Sequence, residues 1–123
     1  MATKYYFLCM GWMFFNAITL TAQTPINFDS VQAVIDRYPA QDTAKARMLI
    51  TFSNDIRRTD QTRGIAAADQ AIALAERLKQ PLLIGDAYVA KGSNMYNQGK
   101  QVEGLALMEQ AYQMYLQMPD EWR

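Results

Sequence analysis

The chain has 123 residues, half of them hydrophobic, and its 12 basic side chains balance its 12 acidic ones. That length suits one domain with a modest core, and the balanced charge gives no indication of a nucleic-acid-binding protein. The sequence contains no histidine and one cysteine, Cys9, which argues against His-dependent catalysis, zinc sites and internal disulfides. We therefore expect no catalytic residues, no metal site and no cofactor.

Residues 1–22 have the layout of a secretory signal peptide. A positive charge at Lys4 precedes an apolar run from Tyr5 to Phe15, and milder residues follow up to Ala22. This order predicts an exported protein that is cleaved after Ala22. The alternative is an uncleaved membrane anchor, because the stretch from Tyr5 to Ala22 is about long enough to cross a bilayer.

Residues 23–41 are predicted to form a linker and a short lead-in helix. Asp29 or Ser30 is expected to cap its first turn, and Pro39 to end it. The apolar stripe of this helix, at helical spacing, consists of Val31, Val34, Ile35 and Tyr38.

Four longer helices should follow. Asp42 is expected to cap the first, and Asp60 the second. Pro81 suits the first turn of the third, which should end where Gly99 takes a left-handed conformation. The fourth is predicted from Gln101 to Met118. In the first of these helices the predicted inward residues are Ala46, Leu49, Ile50, Phe52 and Ile56.

The second and fourth of these helices are related by an internal repeat. The stretch that begins at Gly64 is followed forty residues later by a similar stretch that begins at Gly104, and Gln70–Ala71 matches Gln110–Ala111 at the same offset. A fixed period of this size indicates a helical repeat protein.

The second copy resembles the tetratricopeptide repeat family. The residues that carry the resemblance are Tyr88, Gly92, Gly99, Gly104 and Ala111. The resemblance implies an all-α fold in which antiparallel helix pairs stack into a right-handed superhelix. It divides the chain into a degenerate repeat at 42–80, with Phe52 where a small residue is expected, and a regular repeat at 81–119. The forty-residue period is longer than the usual one of about 34, and an unrelated helical bundle is the alternative.

The order of leader, short helix and repeats resembles the N-terminal region of envelope signalling proteins of Gram-negative bacteria. This likeness implies a periplasmic or envelope-associated, non-enzymatic scaffold that binds a protein or peptide and acts as the sensory part of a larger protein. The alternative is a free-standing exported structural protein that assembles through its last helix. A membrane would be involved only through an uncleaved leader or a downstream segment.

In the family, extended peptides usually bind the concave face, which the first helix of each pair forms. The matching candidates here are Leu49, Ser53, Asn54, Arg57, Val89, Ser93, Asn94 and Asn97. Asparagine can bind a peptide backbone through both its amide donor and its acceptor. The alternative is that the Ser–Asn pairs are polar helix surface that duplication retained.

The last helix is too apolar for a freely solvated element, and it is predicted to be an interface. The residues of that interface are Met108, Tyr112, Met114, Tyr115 and Met118. Residues 120–123 correspond to the start of a further repeat, so we expect either a longer protein or self-association through this helix.

Overall fold

A computed structural model describes residues 23–122. Within this range the chain forms five α-helices, a short 3₁₀ helix at Asp120–Trp122 and no strand. The α-helices are α1 (Phe28–Arg37), α2 (Thr43–Ile56), α3 (Gln61–Arg77), α4 (Pro81–Asn97) and α5 (Gln101–Leu116). The all-helical prediction is confirmed, whereas the predicted signal peptide lies outside the described residues.

Side-chain caps open three of the helices. Asp42 accepts a hydrogen bond from the Lys45 amide at 3.0 Å, and Asp60 accepts one from the Arg63 amide at 3.1 Å, as the sequence predicted. Helix α1 differs from the prediction, because Asn27, rather than Asp29 or Ser30, accepts from the first backbone amides.

The stripe predicted for α1 is only partly buried. Ile35 is inaccessible and Tyr38 half-buried, whereas Val31 and Val34 remain exposed. Phe28, at the start of α1, also contacts α2, since its ring meets Phe52 edge-to-face with centroids 6.1 Å apart. Helix α1 therefore packs on α2, the first helix of the first pair.

Each helix runs antiparallel to the next from α2 to α5. In the α2–α3 pair Ser53 bonds to Gly64, in the α3–α4 pair Lys91 meets Asp69, and in the α4–α5 pair Tyr115 bonds to Asp86. Helix α4 also packs beside α2, with the two helices parallel. Asn94 of α4 lies next to Ser53, and Asn97 next to Arg57, so helices offset by one repeat period lie side by side.

Two glycines let α4 and α5 cross closely. A Cβ on Gly92 would lie 2.6 Å from the carbonyl oxygen of Gly104, and one on Gly104 would lie 2.5 Å from that of Gly92. In the first pair Phe52, with 1% of its surface exposed, stands at the position of Gly92. A large side chain therefore fills space in the first pair that backbone fills in the second.

The turns after α3 and α4 both use positive φ, at Lys79 (52°) and at Gly99 (95°). The sequence predicted only the glycine, which adopts this region without steric cost.

The core itself joins buried residues of α1 to α4, including Ile35, Leu49, Ile56, Ala71 and Leu83. Helix α5 lies at one side of that core and packs on α4.

Candidate functional site

A groove between α4 and α5 is the best-formed concave surface of the described residues. It has a volume of about 390 Å³ and is open to solvent. The C-terminal half of α4, the N-terminal half of α5 and the end of α2 line it through Arg57, Arg58, Ser93, Tyr96, Asn97, Leu105 and Met108.

The local sequence explains how the groove is built. Because Gly92 and Gly104 bring the two backbones together, the side chains on either side of the crossing form its walls. On one wall, Ser93 donates to the sulfur of Met108 at 3.8 Å. At the end of α2, Asn97 donates to the Arg57 carbonyl oxygen at 3.2 Å, which fixes the α2 terminus beside α4.

The groove is electropositive at this end. Two guanidinium groups line it and no carboxylate does. Neither arginine side chain makes an ion pair within the described part of the chain. The groove can therefore bind an anionic group near α2 while its apolar side contacts a hydrocarbon or aromatic side chain.

The structure divides the predicted peptide-binding residues into three sets. Arg57, Ser93 and Asn97 line the groove, whereas Asn54 and Val89 are half-buried and lie outside it. The prediction that Leu49, Ser53 and Asn94 bind a peptide is wrong. Each is at most 1% exposed and cannot contact a ligand, because each lies between packed helices.

Ser53 and Asn94 form a buried polar cluster with Gly64. The Ser53 hydroxyl donates to the Gly64 carbonyl oxygen at 2.7 Å. The Asn94 side-chain nitrogen lies 2.9 Å from the Ser53 carbonyl oxygen, 3.0 Å from its hydroxyl and 2.9 Å from the Ala90 carbonyl oxygen. A polar helix surface was the alternative interpretation of these Ser–Asn pairs, and it is also wrong for Ser53 and Asn94.

The Asn94 side-chain oxygen is buried and accepts no hydrogen bond. It points at Gly64, where an added Cβ would overlap it. Gly64 is thus required by the asparagine side chain of the neighbouring helix. The sequence match of Gly64 to Gly104 did not indicate this role, because Gly104 faces backbone.

The prediction of an interface on α5 is also wrong for two of its residues, Met118 and Tyr115. Met118 is 6% exposed, and the ring of Tyr115 lies over Gly85, so both pack within the chain. The Tyr115 hydroxyl donates to the Asp86 carboxylate at 2.6 Å. Burial, together with this bond and the negative charge of Asp86, raises the pKa of Tyr115.

Of the other predicted interface residues, Tyr112 is exposed, whereas Met108 and Met114 are half-buried. Besides Tyr112, the large apolar residues that α5 exposes are Val102, Leu105 and Leu116, which were not predicted. Sequence reasoning did not assign Tyr96, Arg58 and Leu105 to a site either. The helical period does place Leu105 and Tyr112, seven residues apart, in one row of the last helix, but Leu105 was not assigned to the interface.

Metal-binding clusters and membrane-spanning helices are both absent from the described residues. Residues 23–122 contain no group of three or more acidic or cysteine side chains arranged to hold a metal ion. Among the helices of this range, none is long and apolar enough to cross a membrane.

Comparison with known proteins identified no matching family model, curated protein or solved structure.

Proposed function

We propose that this chain is a tetratricopeptide-type repeat protein that binds another protein or peptide and has no chemistry of its own. Three features support the proposal: the antiparallel helix pairs, the parallel packing of α2 and α4 at an offset of forty residues, and the close glycine crossing of α4 and α5. Repeat proteins of this kind stack their structural units so that each unit contacts its neighbours.

The observation that carries the binding function is the open groove between α4 and α5. Helix α4 occupies the preceding groove, between α2 and α3, and contacts both helices. The groove between α4 and α5 is formed by the equivalent residues one period later, with Ser93 in place of Ser53 and Leu105 in place of Ile65. A partner that fills it would bury apolar surface in the same way.

The charge of the groove favours a partner that presents carboxylates. Arg57 and Arg58 stand at the α2 end of the groove and would meet acidic side chains or the negative end of a helix. Electrostatic complementarity of this kind contributes mainly to specificity and to the rate of association.

The proposal also covers the compartment of the cell in which the protein acts. The leader-like residues 1–22 favour an exported or envelope-associated protein. In that setting the repeat would serve as the sensory part of a signalling protein, with a free-standing exported scaffold as the alternative. Reaction with a reagent that cannot cross the inner membrane, applied to intact cells after outer-membrane permeabilisation, would establish the compartment.

Selection from a displayed peptide library against the purified protein tests the binding function. We expect enriched peptides that carry acidic residues beside an apolar one, and we expect Tyr96→Ala and Arg58→Glu each to weaken their binding about tenfold or more. Gln110→Glu is the matched control, since Gln110 is exposed on the polar side of α5. The proposal would be refuted if no peptide were enriched. It would also be refuted if Tyr96→Ala and Arg58→Glu left the binding of the enriched peptides unchanged.

A further inference from the structure

The end of α2 is bonded differently from the ends of α3 and α4. Helices α3 and α4 each end in a turn with a residue of positive φ, and backbone amides of that turn donate to two successive carbonyls of the helix. The turn after α2 has no such residue, and its Thr59 and Asp60 amides both donate to the Ile56 carbonyl oxygen at 2.9 Å. The carbonyl of Arg57, the residue that follows α2, is therefore left without a backbone donor.

Two side-chain amides from two other helices donate to this carbonyl. Gln61, the first residue of α3, donates to it at 2.8 Å, and Asn97, the last residue of α4, donates to it at 3.2 Å. Beside this contact, Gln98 donates to the Thr62 hydroxyl at 3.3 Å. The ends of α2 and α4 and the start of α3 thus meet in one polar junction, and the groove between α4 and α5 opens beside it.

This junction affects the two arginines that line the groove. Basic side chains at the carboxyl end of a helix commonly bond to its last carbonyls and interact with the negative end of its dipole. Here Gln61 and Asn97 occupy the Arg57 carbonyl oxygen, which has two lone pairs and accepts two hydrogen bonds. The guanidinium groups of Arg57 and Arg58 have no hydrogen bond or ion pair within residues 23–122.

The neighbouring carboxylates do not pair with these two arginines either. Asp60 caps α3 through the Arg63 amide at 3.1 Å, and Asp55 lines a separate groove between α1 and α2. Arg63, another arginine close to this turn, is by contrast paired with Asp29 at 2.9 Å. The fold therefore uses Arg63 and leaves the two arginines of the groove available.

We propose that Gln61 and Asn97 are positioning residues of the binding groove. By satisfying the carbonyl at the end of α2, they keep the guanidinium groups of Arg57 and Arg58 free for the carboxylates of an acidic peptide. The inference rests on the proposed binding function, and it assigns the acid selectivity of the groove to two amides that need not touch the peptide. It also gives the Asn97 amide nitrogen a role different from the predicted contact with a peptide backbone.

Chemical modification of the arginines tests this role without any ligand. The reagent p-hydroxyphenylglyoxal reacts with free guanidinium groups, and mass spectrometry of the digested protein gives the rate at each site. Gln61→Met keeps the length of the side chain and removes its donors, and Asn97→Ala removes the other donor. We expect each change to slow modification of the Arg57–Arg58 pair about twofold or more, because an arginine then bonds to the vacated carbonyl. Arg47, exposed near the other end of α2, is the internal reference.

The direction of this effect separates positioning from a merely structural role. A variant with a loosened fold would expose its arginines and react faster, not more slowly. Asn97→Gln retains an amide donor and should keep the wild-type rate. Gln110→Met makes the same exchange as Gln61→Met at an exposed position of α5, so it should also leave the rate unchanged. Circular dichroism verifies that the variants fold.

Peptide binding tests the functional consequence. The probes are the tightest acidic peptide from the library selection and a copy in which asparagine or glutamine replaces each of its acidic residues. We expect wild type to prefer the acidic probe. In Gln61→Met and Asn97→Ala this preference should fall about threefold or more, while the affinity for the amide copy stays the same.

Results that contradict the inference can be told from a failure of the binding function. Unchanged modification rates, or an equal loss of affinity for both probes, would overturn the positioning role and leave the binding function standing. Slowed modification with unchanged peptide preference would overturn it too, because the freed arginines would then not contact the peptide. If modification is slowed but library selection enriches no peptide, the two amides do keep the arginines free, and the binding function is what fails.

Discussion

At the scale of single residues, the repeated Ser–Asn pairs differ in their surroundings. Ser53 and Asn94 are inaccessible and bonded to each other, whereas Asn54 and Ser93 are only half-buried. The residue match at the forty-residue offset predicts equivalent backbone positions. It does not predict equivalent neighbours, because α1 lies on the far side of the first pair and solvent on the far side of the second.

Gly64 and Asn94 should be energetically coupled. Gly64→Ala places a methyl group against the Asn94 side chain, which overpacks the site by about 1–3 kcal/mol and outweighs a gain in helix propensity of about 1 kcal/mol. Asn94→Ala removes the buried hydrogen bonds and should cost about 2–3 kcal/mol. In the double variant the methyl group occupies space that Asn94 has left, so the combined loss should be about 1 kcal/mol smaller than the sum.

Urea unfolding of the four proteins measures this coupling. Ala73→Gly, on an exposed position of α3, gives the helix-propensity effect alone and serves as the control. Strict additivity of the two single changes would show that Gly64 and Asn94 do not share this space.

At the scale of helices, the α4–α5 pair depends on one polar contact as well as on its glycine crossing. Tyr115 sits with its ring on Gly85 and its hydroxyl on Asp86. The folded state therefore favours the neutral phenol, and the raised pKa of Tyr115 means that the native protein holds this proton to higher pH than the unfolded chain does. Stability from this group is complete below the ordinary tyrosine pKa of about 10 and is lost as pH rises above it.

We expect Tyr115→Phe to reduce the loss of stability between about pH 9 and pH 11. At neutral pH the same change should cost roughly 1 kcal/mol, the net contribution of the lost hydrogen bond. The measurement is urea unfolding across that pH range. Part of the slope should remain, because burial and the Asp42 carboxylate raise the pKa of Tyr38 in the same direction.

Tyr112→Phe is the matched control for this pH series. Tyr112 lies on the same helix with 54% of its surface exposed, so its replacement should leave the slope unchanged. If Tyr115→Phe and the wild type lose stability in parallel as the pH rises, the Asp86 contact does not hold the proton as proposed.

At the scale of the whole molecule, helical periodicity predicted the elements and most of the core. The inward residues assigned to α2, Ala46, Leu49, Ile50, Phe52 and Ile56, are all buried. Helical periodicity did not predict which face of α5 is buried, because apolar residues occupy most of that helix and their spacing fits more than one face. It also missed Asn94, since a polar residue is assigned to the surface unless its buried partners are known.

The same distribution of burial predicts that the molecule does not open uniformly. The core cluster draws its residues from α1 to α4, whereas α5 buries only Gly104 and Ala111 along its length and exposes several large apolar side chains, among them Val102 and Tyr112. Helix α5 can therefore separate from α4 while the core stays folded, and regions with few buried contacts open at lower free energy. We expect amides in Gln101–Leu116 to exchange with solvent about tenfold or more faster than those in the middle of Gln61–Arg77.

Hydrogen exchange read by mass spectrometry distinguishes this partial opening from global unfolding. If α5 opens on its own, its exchange should respond less to low concentrations of urea than exchange in α3 does, because less surface is exposed. A library peptide that binds the groove between α4 and α5 should then slow exchange in α5 without an equal effect on α1, since a ligand stabilises the state that it binds. The opposite result is that amides in α3 and α5 exchange at identical rates and with identical urea dependence. That result would mean that residues 23–122 unfold as one cooperative unit, and that the contact of α5 with α4 is as stable as the core.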